Sequence, residues 1–334
     1  MRRWPLLLLI AGCTRTPAVA PAVVPARDAP RPGPIVSAGY LHHCVLDPDG
    51  TARCDGGNQL DQLRVPKDRL TAISAGLYHS CGLTTAGTPL CWGSDRGPYP
   101  GNATSDLPAP PDVRLVAIAA GSEYSCGLDA AGALRCWGNR GWASAPPPGR
   151  FVALSAGYDH ACAVRADGEV TCFGEAGVER LPCEQLESVP EGACRAGDTI
   201  PKGWTPAPAG LRAVAVAAGA SHTCAVTKAA TVVCWGADGW GDGNTIWAGQ
   251  TRVPPSLIDV VEVSAGGGHS CARRRDGRVV CWGDVPSPAG RFVQIDSGAS
   301  YACGVSAAGA VVCSATTASN GALVSFPANP VWAP

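Results

Sequence analysis

Cysteine and histidine are the side chains with the most chemistry to offer in this 334-residue sequence, which has 17 of the first and 6 of the second. Thiols oxidise, bind metals or attack carbon, and imidazoles bind metals or carry protons. Fourteen of the cysteines fall into seven pairs, each ten residues apart. They are Cys44 with Cys54, Cys81 with Cys91, Cys126 with Cys136, Cys162 with Cys172, Cys224 with Cys234, Cys271 with Cys281 and Cys303 with Cys313. A glycine stands five residues before each first cysteine, at Gly39, Gly76, Gly121, Gly157, Gly219, Gly266 and Gly298. Three residues after that glycine comes His42, His79, Tyr124, His160, His222, His269 or Tyr301. Two tyrosines in seven fit a packed, hydrogen-bonded position better than metal coordination. None of the cysteines has the short Cys-x2-Cys spacing of a zinc site, so no metal is expected.

Other candidates are weaker. The run from Asp238 to Asn244 looks like a calcium loop, but its third position is not an oxygen ligand and Gly249 stands where the bidentate glutamate belongs. Arg273, Arg274 and Arg275 beside Asp276 read as a solvated basic turn. No nucleophile stands at a supporting distance from a base, and no phosphate-binding glycine loop follows a strand and opens a helix. No cofactor and no catalytic residue are therefore assigned. Trp92, Trp137, Trp235 and Trp282 recur at one repeat position and read as packing. Trp142, Trp204, Trp240 and Trp247 fall in the connections instead. With Tyr99 they are the candidates for a partner-binding face, unless each folds back over its own repeat.

The elements that must position these residues are strands. An alternating run precedes each repeat glycine, as in 116–120, and short apolar runs surround each cysteine. The midpoint of the ten-residue spacing predicts a three-residue hairpin loop whose third residue is left-handed. That position holds Gly50, Gly87, Gly132, Gly168, Ala230, Gly277 and Gly309. Counting outward opposes the two cysteines across a non-hydrogen-bonded pair, where Cα atoms lie about 4.5 Å apart, within disulfide range. One cross-strand disulfide per repeat is the expectation, with reduced, buried thiols as the alternative. A proline-containing segment follows in every repeat and reads as a fourth, edge strand. The fold class is all-β, a seven-bladed β-propeller. The 42 Gly and 30 Pro are then its turns, and a net charge of −1 gives no field for nucleic acid.

Residues 1–12 read as an export signal: Arg2-Arg3, the apolar run 6–10 and small residues before Cys13. Residues 10–13, Ile-Ala-Gly-Cys, resemble the lipobox of bacterial lipoproteins, which implies acylation of Cys13. Thr14 then suggests the outer membrane. Residues 13–34 form a Pro/Ala-rich tether, and the propeller occupies 35–334. Cys183 and Cys194 are left to clip the long segment 175–211.

The unit Val-x-Ile-x-Ala-Gly-x-x-His-x-Cys-x-Val, closing in Val-x-Cys-Trp-Gly, resembles the regulator of chromosome condensation (RCC1) repeat. Residues 157–174 and 219–236 match best, while Asp55 and Ser314 replace the tryptophan in the first and last repeats. The resemblance implies a closed seven-bladed ring in which the His position is structural. The added cysteines look like the secreted bacterial branch related to β-lactamase-inhibitor protein II. Family members that act on a nuclear GTPase work in another compartment. The expected function is a monomeric, membrane-anchored recognition scaffold that binds a protein or cell-surface ligand through loops 94–113, 175–211 and 237–256. An exported hydrolase or lyase at the propeller mouth is the alternative, and a purely structural surface protein a third.

Overall fold

The computed structural model describes residues 33–94, 110–175, 180–182, 199–201, 204–240 and 246–315. Seven antiparallel sheets of three strands form the blades, spanning 35–56, 70–93, 115–138, 151–174, 213–236, 260–283 and 292–315. Each has an inner, a middle and an outer strand, such as Phe151–Ala156, His160–Arg165 and Val170–Gly174 in blade 4. The inner strands of all seven line an axial cavity of about 390 Å³. Middle strands are buried along nearly their whole length. The apolar clusters form between blades, not within them. One joins Cys44, Leu46, Leu70, Ile73 and Trp92 of blades 1 and 2. Another joins Val36, Val45, Tyr301 and Val305 across the seam where blade 7 meets blade 1.

The hairpins match the sequence expectation closely. Asp47 N donates to Thr51 O (2.8 Å) and Gly50 N to Asp47 O (2.9 Å), which closes a loop of Pro48, Asp49 and Gly50. The third loop residue has positive φ in every blade, from +59° at Ala230 to +93° at Gly168. The two cysteines of each blade therefore oppose one another across the hairpin, as Cys44 does Cys54. All seven blade disulfides are present. Cys44 is bonded to Cys54, Cys81 to Cys91, Cys126 to Cys136 and Cys162 to Cys172. Cys224 is bonded to Cys234, Cys271 to Cys281 and Cys303 to Cys313. Their Cα atoms lie 4.0–4.1 Å apart, a little closer than the spacing of an open strand pair. The sulfurs are not equally sheltered. The middle-strand cysteines are fully buried, whereas Cys54, Cys91, Cys136, Cys172, Cys234, Cys281 and Cys313 on the outer strands are half-buried. Seven disulfides indicate an oxidising, extracytoplasmic compartment. Among the described residues no helix is long and apolar enough to cross a membrane.

The fourth strand is a correction: the described blade sheets have three strands. The described proline segments add no strand to the blades, and in three connections a backbone carbonyl accepts from an indole instead of joining a ladder. Trp92 Nε1 donates to Gln62 O (2.9 Å), Trp235 Nε1 to Thr205 O (3.0 Å) and Trp282 Nε1 to Gln250 O (2.8 Å). Two small sheets lie in the long connections, pairing Arg180–Pro182 with Thr199–Pro201 and Gly239–Trp240 with Ile246–Trp247.

The two faces of the ring differ in construction. On one, the glycine face, the seven repeat glycines form a circle around the axis. A Cβ on any of them would collide with the carbonyl of the next blade's glycine, from Gly39 against Gly76 O round to Gly298 against Gly39 O. On the opposite, hairpin face, the loop of each of blades 1 to 6 grips the start of the next inner strand. Leu70 N donates to Gly50 O and Val260 N to Ala230 O, for example, at 2.8 and 3.0 Å. Pro34, next to the first described residue, packs against the hairpin glycine Gly309 on that same face.

Candidate functional site

The histidines form a circumferential belt and bind each blade to the next. His42 Nε2 shares a 2.8 Å hydrogen bond with Ser80 Oγ, His79 one of 2.7 Å with Ser125, His160 one of 2.8 Å with Thr223, and His222 one of 2.8 Å with Ser270. Tyr124 and Tyr301 continue the belt by donating to the backbone oxygens of His160 and His42. Burial holds the imidazoles neutral, pulling His42 and His79 down to about 4 and His160 and His222 to about 3. His269 breaks the pattern, because Ala302 stands where the next blade should offer a hydroxyl, and its Nε2 is buried without a partner. Among the described residues no cluster of three or more His, Cys, Asp or Glu could hold a metal. The Asp238 carboxylate, first in the calcium-like run, is engaged by Thr251 N, Thr251 Oγ1 and Arg252 Nε at 2.9, 2.6 and 2.8 Å.

Trp142 and Trp204 fold back over their own blades. The Trp204 ring is 6% exposed, stacks on His160 at 5.3 Å and donates to Glu175 O at 2.6 Å. Trp142, half-buried, sits edge-on to Tyr124 at 4.4 Å and to Phe173 at 5.8 Å. Trp240 and Trp247 lie on the small sheet, in register with Ile246 and Gly239. Tyr99, Cys183, Cys194 and Cys13 lie outside the described residues.

What the sequence reading did not find is on the glycine face. Two residues separate each repeat glycine from the histidine position, and these fourteen surround the mouth of the axial channel. In blades 1 to 4 they are Tyr40-Leu41, Leu77-Tyr78, Ser122-Glu123 and Tyr158-Asp159; in blades 5 to 7 they are only alanine, serine and glycine. Tyr40 packs edge-on against both Tyr78 and Tyr158, with centroids 6.3 Å apart in each case. Tyr40, at the axial mouth, and its neighbour Leu41, beside Gly57 at the end of the outer strand, are 37% and 41% exposed. The Tyr158 hydroxyl is buried without a partner. Burial, then Tyr40, Tyr78 and Asp159 around it, raises its pKa far above the ordinary range.

An acidic rim flanks the aromatic cluster. Arg140 meets Glu123 (3.3 Å), Asp159 (2.8 Å) and Glu175 (3.3 Å). Three carboxylates on one guanidinium leave the group net acidic. Burial raises the Asp159 pKa, Arg140 opposes that shift and Glu175 adds to it. The outer strands end on this face too: Ser94 N donates to Tyr78 O, Glu175 N to Asp159 O and Ala237 N to Ser221 O at 3.0, 3.1 and 2.9 Å. The first two of these long connections therefore depart beside Tyr78 and Asp159, and the third beside Ser221. The signal for this site was available in the sequence, since the two positions after each glycine are the ones the repeat leaves free.

Comparison with known proteins agrees with this architecture. The regulator of chromosome condensation (RCC1) repeat model matches residues 70–96, 151–177, 213–244 and 260–284. Among solved structures, the ectodomain of the Physcomitrella patens receptor kinase CR4 is 21% identical with a TM-score of 0.63, covering 85% of this chain and 74% of that one. The ectodomain of the Arabidopsis thaliana receptor kinase ACR4 is 22% identical with a TM-score of 0.61, covering 86% and 99%. Prp20p from Saccharomyces cerevisiae, described with binding properties to Gsp1p and histones, is 15% identical with a TM-score of 0.56, covering 86% and 83%. At these identities the likeness is one of fold. No curated protein sequence matches the chain.

Proposed function

We propose that this chain, a member of the RCC1-repeat propellers, is a membrane-anchored, extracytoplasmic recognition scaffold. It binds a partner protein or envelope ligand on its glycine face. The observation that carries this reading is exposed Tyr40 at the axial mouth, packed on Tyr78 and Tyr158, with exposed Leu41 next to it and Glu123, Asp159 and Glu175 gathered on Arg140 on the same face. Aromatic anchors beside a charged rim are the composition of protein-binding hot spots. The net acidity favours a partner that brings lysine or arginine to the rim. The mouth itself is a cavity of about 50 Å³ lined largely by glycine and alanine, which offers little to a substrate. Asp296, the carboxylate on the channel wall, is fully engaged by Ala38 N, Ser37 Oγ, Ser264 Oγ and Ser297 N. Both features support binding over catalysis.

The lipid anchor rests on the sequence around Cys13, and the position of Pro34 is compatible with it. A tether joined at the hairpin face leaves the glycine face turned away from the bilayer. Two experiments test the reading. Metabolic labelling with an alkynyl fatty acid should mark the wild type and not Cys13→Ala; label on both, or on neither, removes the anchor. A photocrosslinker at Leu41 should capture a partner from intact cells, and one at Val152 on the hairpin face should not. Capture from Val152 alone, or capture that survives Tyr40→Ala combined with Glu123→Gln, places the interface elsewhere.

A further inference from the structure

The mouth on the glycine face, about 50 Å³, opens into the axial cavity of about 390 Å³ through a single collar, because the residue before each repeat glycine lines both spaces. Six of these residues are alanine, from Ala38 round to Ala265, and the seventh is Ser297. Ser297 is 7% exposed, and its Oγ is buried without a hydrogen-bond partner. Next to it, Asp296 is the one charged side chain among the residues lining the cavity. Its partners are Ala38 N, Ser37 Oγ, Ser264 Oγ and Ser297 N, all neutral donors. The neighbouring Glu262, by contrast, is matched by Arg273 at 2.6 Å. The passage therefore carries a negative charge that has no cationic partner among the described residues.

The wall also offers acceptors. Inner strands are sheet edges, so alternate backbone groups turn away from the middle strand toward the axis. In blade 1 those of Val36 are clasped by Gln294 of blade 7, and in blade 7 Ile295 N donates to Glu262 of blade 6. Both clasping side chains stand four residues before a repeat glycine. In the other blades that position holds Ile35, Ala72, Ala117, Ala153 or Ala215, none with a polar side-chain atom. The edges at Ile73, Ile118 and Leu154 line the cavity and lack the clasp. Such a wall suits a cation that only donates. A lysine ammonium has three donors and no acceptor, and its four-carbon stem is slender and apolar, as an alanine collar requires. A guanidinium is a wider, planar fork. From Gly298 to Asp296 the wall advances about 6.6 Å, at roughly 3.3 Å per residue, a depth within reach of lysine. Tyr40 and Tyr158 line the mouth, and aromatic rings favour a passing cation.

Resting on the glycine-face reading, we propose that the axial passage receives a lysine side chain of the partner, its stem in the alanine collar and its ammonium on the cavity wall beside Ser297 and Asp296. The probe is a lysine tripeptide with blocked ends, titrated into the folded, oxidised protein and followed by NMR. Saturable amide shifts are expected in the inner strands Ile35–Ala38, Leu115–Ala120 and Phe292–Ser297. The norleucine peptide, which keeps the stem and loses the charge, should bind about tenfold more weakly or worse. Ser297→Ala, which copies the other six blades, should weaken the lysine peptide about tenfold with folding retained. Ala117→Gln, which sets a clasp like that of Gln294 over the Leu154 edge, should weaken it as well. Equal affinity for the norleucine or arginine peptide would overturn the proposal. So would the absence of saturable shifts, shifts confined to outer strands, or unchanged affinity in either variant. The Leu41 crosslink succeeds or fails independently of the peptide, so failure of the channel and failure of the glycine face are told apart.

Discussion

Ala230 is the one residue that holds the left-handed hairpin position without being glycine, at φ +59°. A Cβ there costs about 1 kcal/mol. Ala230→Gly is therefore expected to stabilise the fold by no more than about 0.5 kcal/mol once the added chain entropy of glycine is subtracted, read as a slightly higher urea midpoint. Ala302 leaves His269 Nε2 unpartnered in a belt whose other histidines meet a hydroxyl at 2.7–2.8 Å. Ala302→Ser should complete the belt and add about 1 kcal/mol, measured the same way. The belt also sets an acid limit. The unfolded chain takes up protons on His42, His79, His160 and His222 near pH 6.5, whereas the folded one resists until about 4 or 3. Stability is thus fully present above pH 6.5 and falls as pH drops toward 4, by roughly 1.4 kcal/mol per unit for each histidine. Urea titrations at pH 7 and 5 with the disulfides intact should show it; equal midpoints would contradict the buried, neutral belt.

At the scale of elements, the inner-strand glycines let neighbouring blades approach backbone to backbone. Gly76→Ala drives a methyl into the Gly121 carbonyl, where nothing flexible can yield. A loss of about 3 kcal/mol or more is expected, visible as a lowered Tm, whereas Gly141→Ala on the surface meets no atom and should be nearly neutral. The contrast shows what local sequence could and could not reveal. Gly50 and its equivalents were readable because a three-residue hairpin fixes both the loop conformation and the opposition of the cysteines. The proline segments were misread because proline marks an edge strand and an irregular crossing equally, and only the indole of Trp92 or Trp282 decides between them. Tyr40, Tyr78 and Tyr158 lie in repeats far apart along the chain and meet only when the ring closes. Trp204 shows the converse: an aromatic in a long connection looked like a surface anchor until His160 proved to lie beneath it.

The whole molecule depends on one non-covalent closure, since blades 7 and 1 are joined by no connecting chain among the described residues. The Gln294 side-chain amide clasps the Val36 backbone, accepting from its N–H at 2.9 Å and donating to its oxygen at 3.0 Å. Asp296 bridges three blades through Ser264, Ser297, Ser37 and Ala38. Asp296→Ala would orphan these buried donors together and should cost about 3 kcal/mol or more, with hydrogen exchange rising first on either side of the seam. The seven disulfides reinforce a different part of the ring, tying middle strands to outer ones and leaving every inner strand without a covalent tie to its sheet. Ile35–Ala38 is such a strand, and it directly follows Pro34. Tension applied through the N-terminal chain would load that unstapled strand and, through Gln294 and Asp296, the clasp itself. Under a pull the ring should part at its seam, like a link opening at its gap, while the stapled hairpins of each blade stay whole.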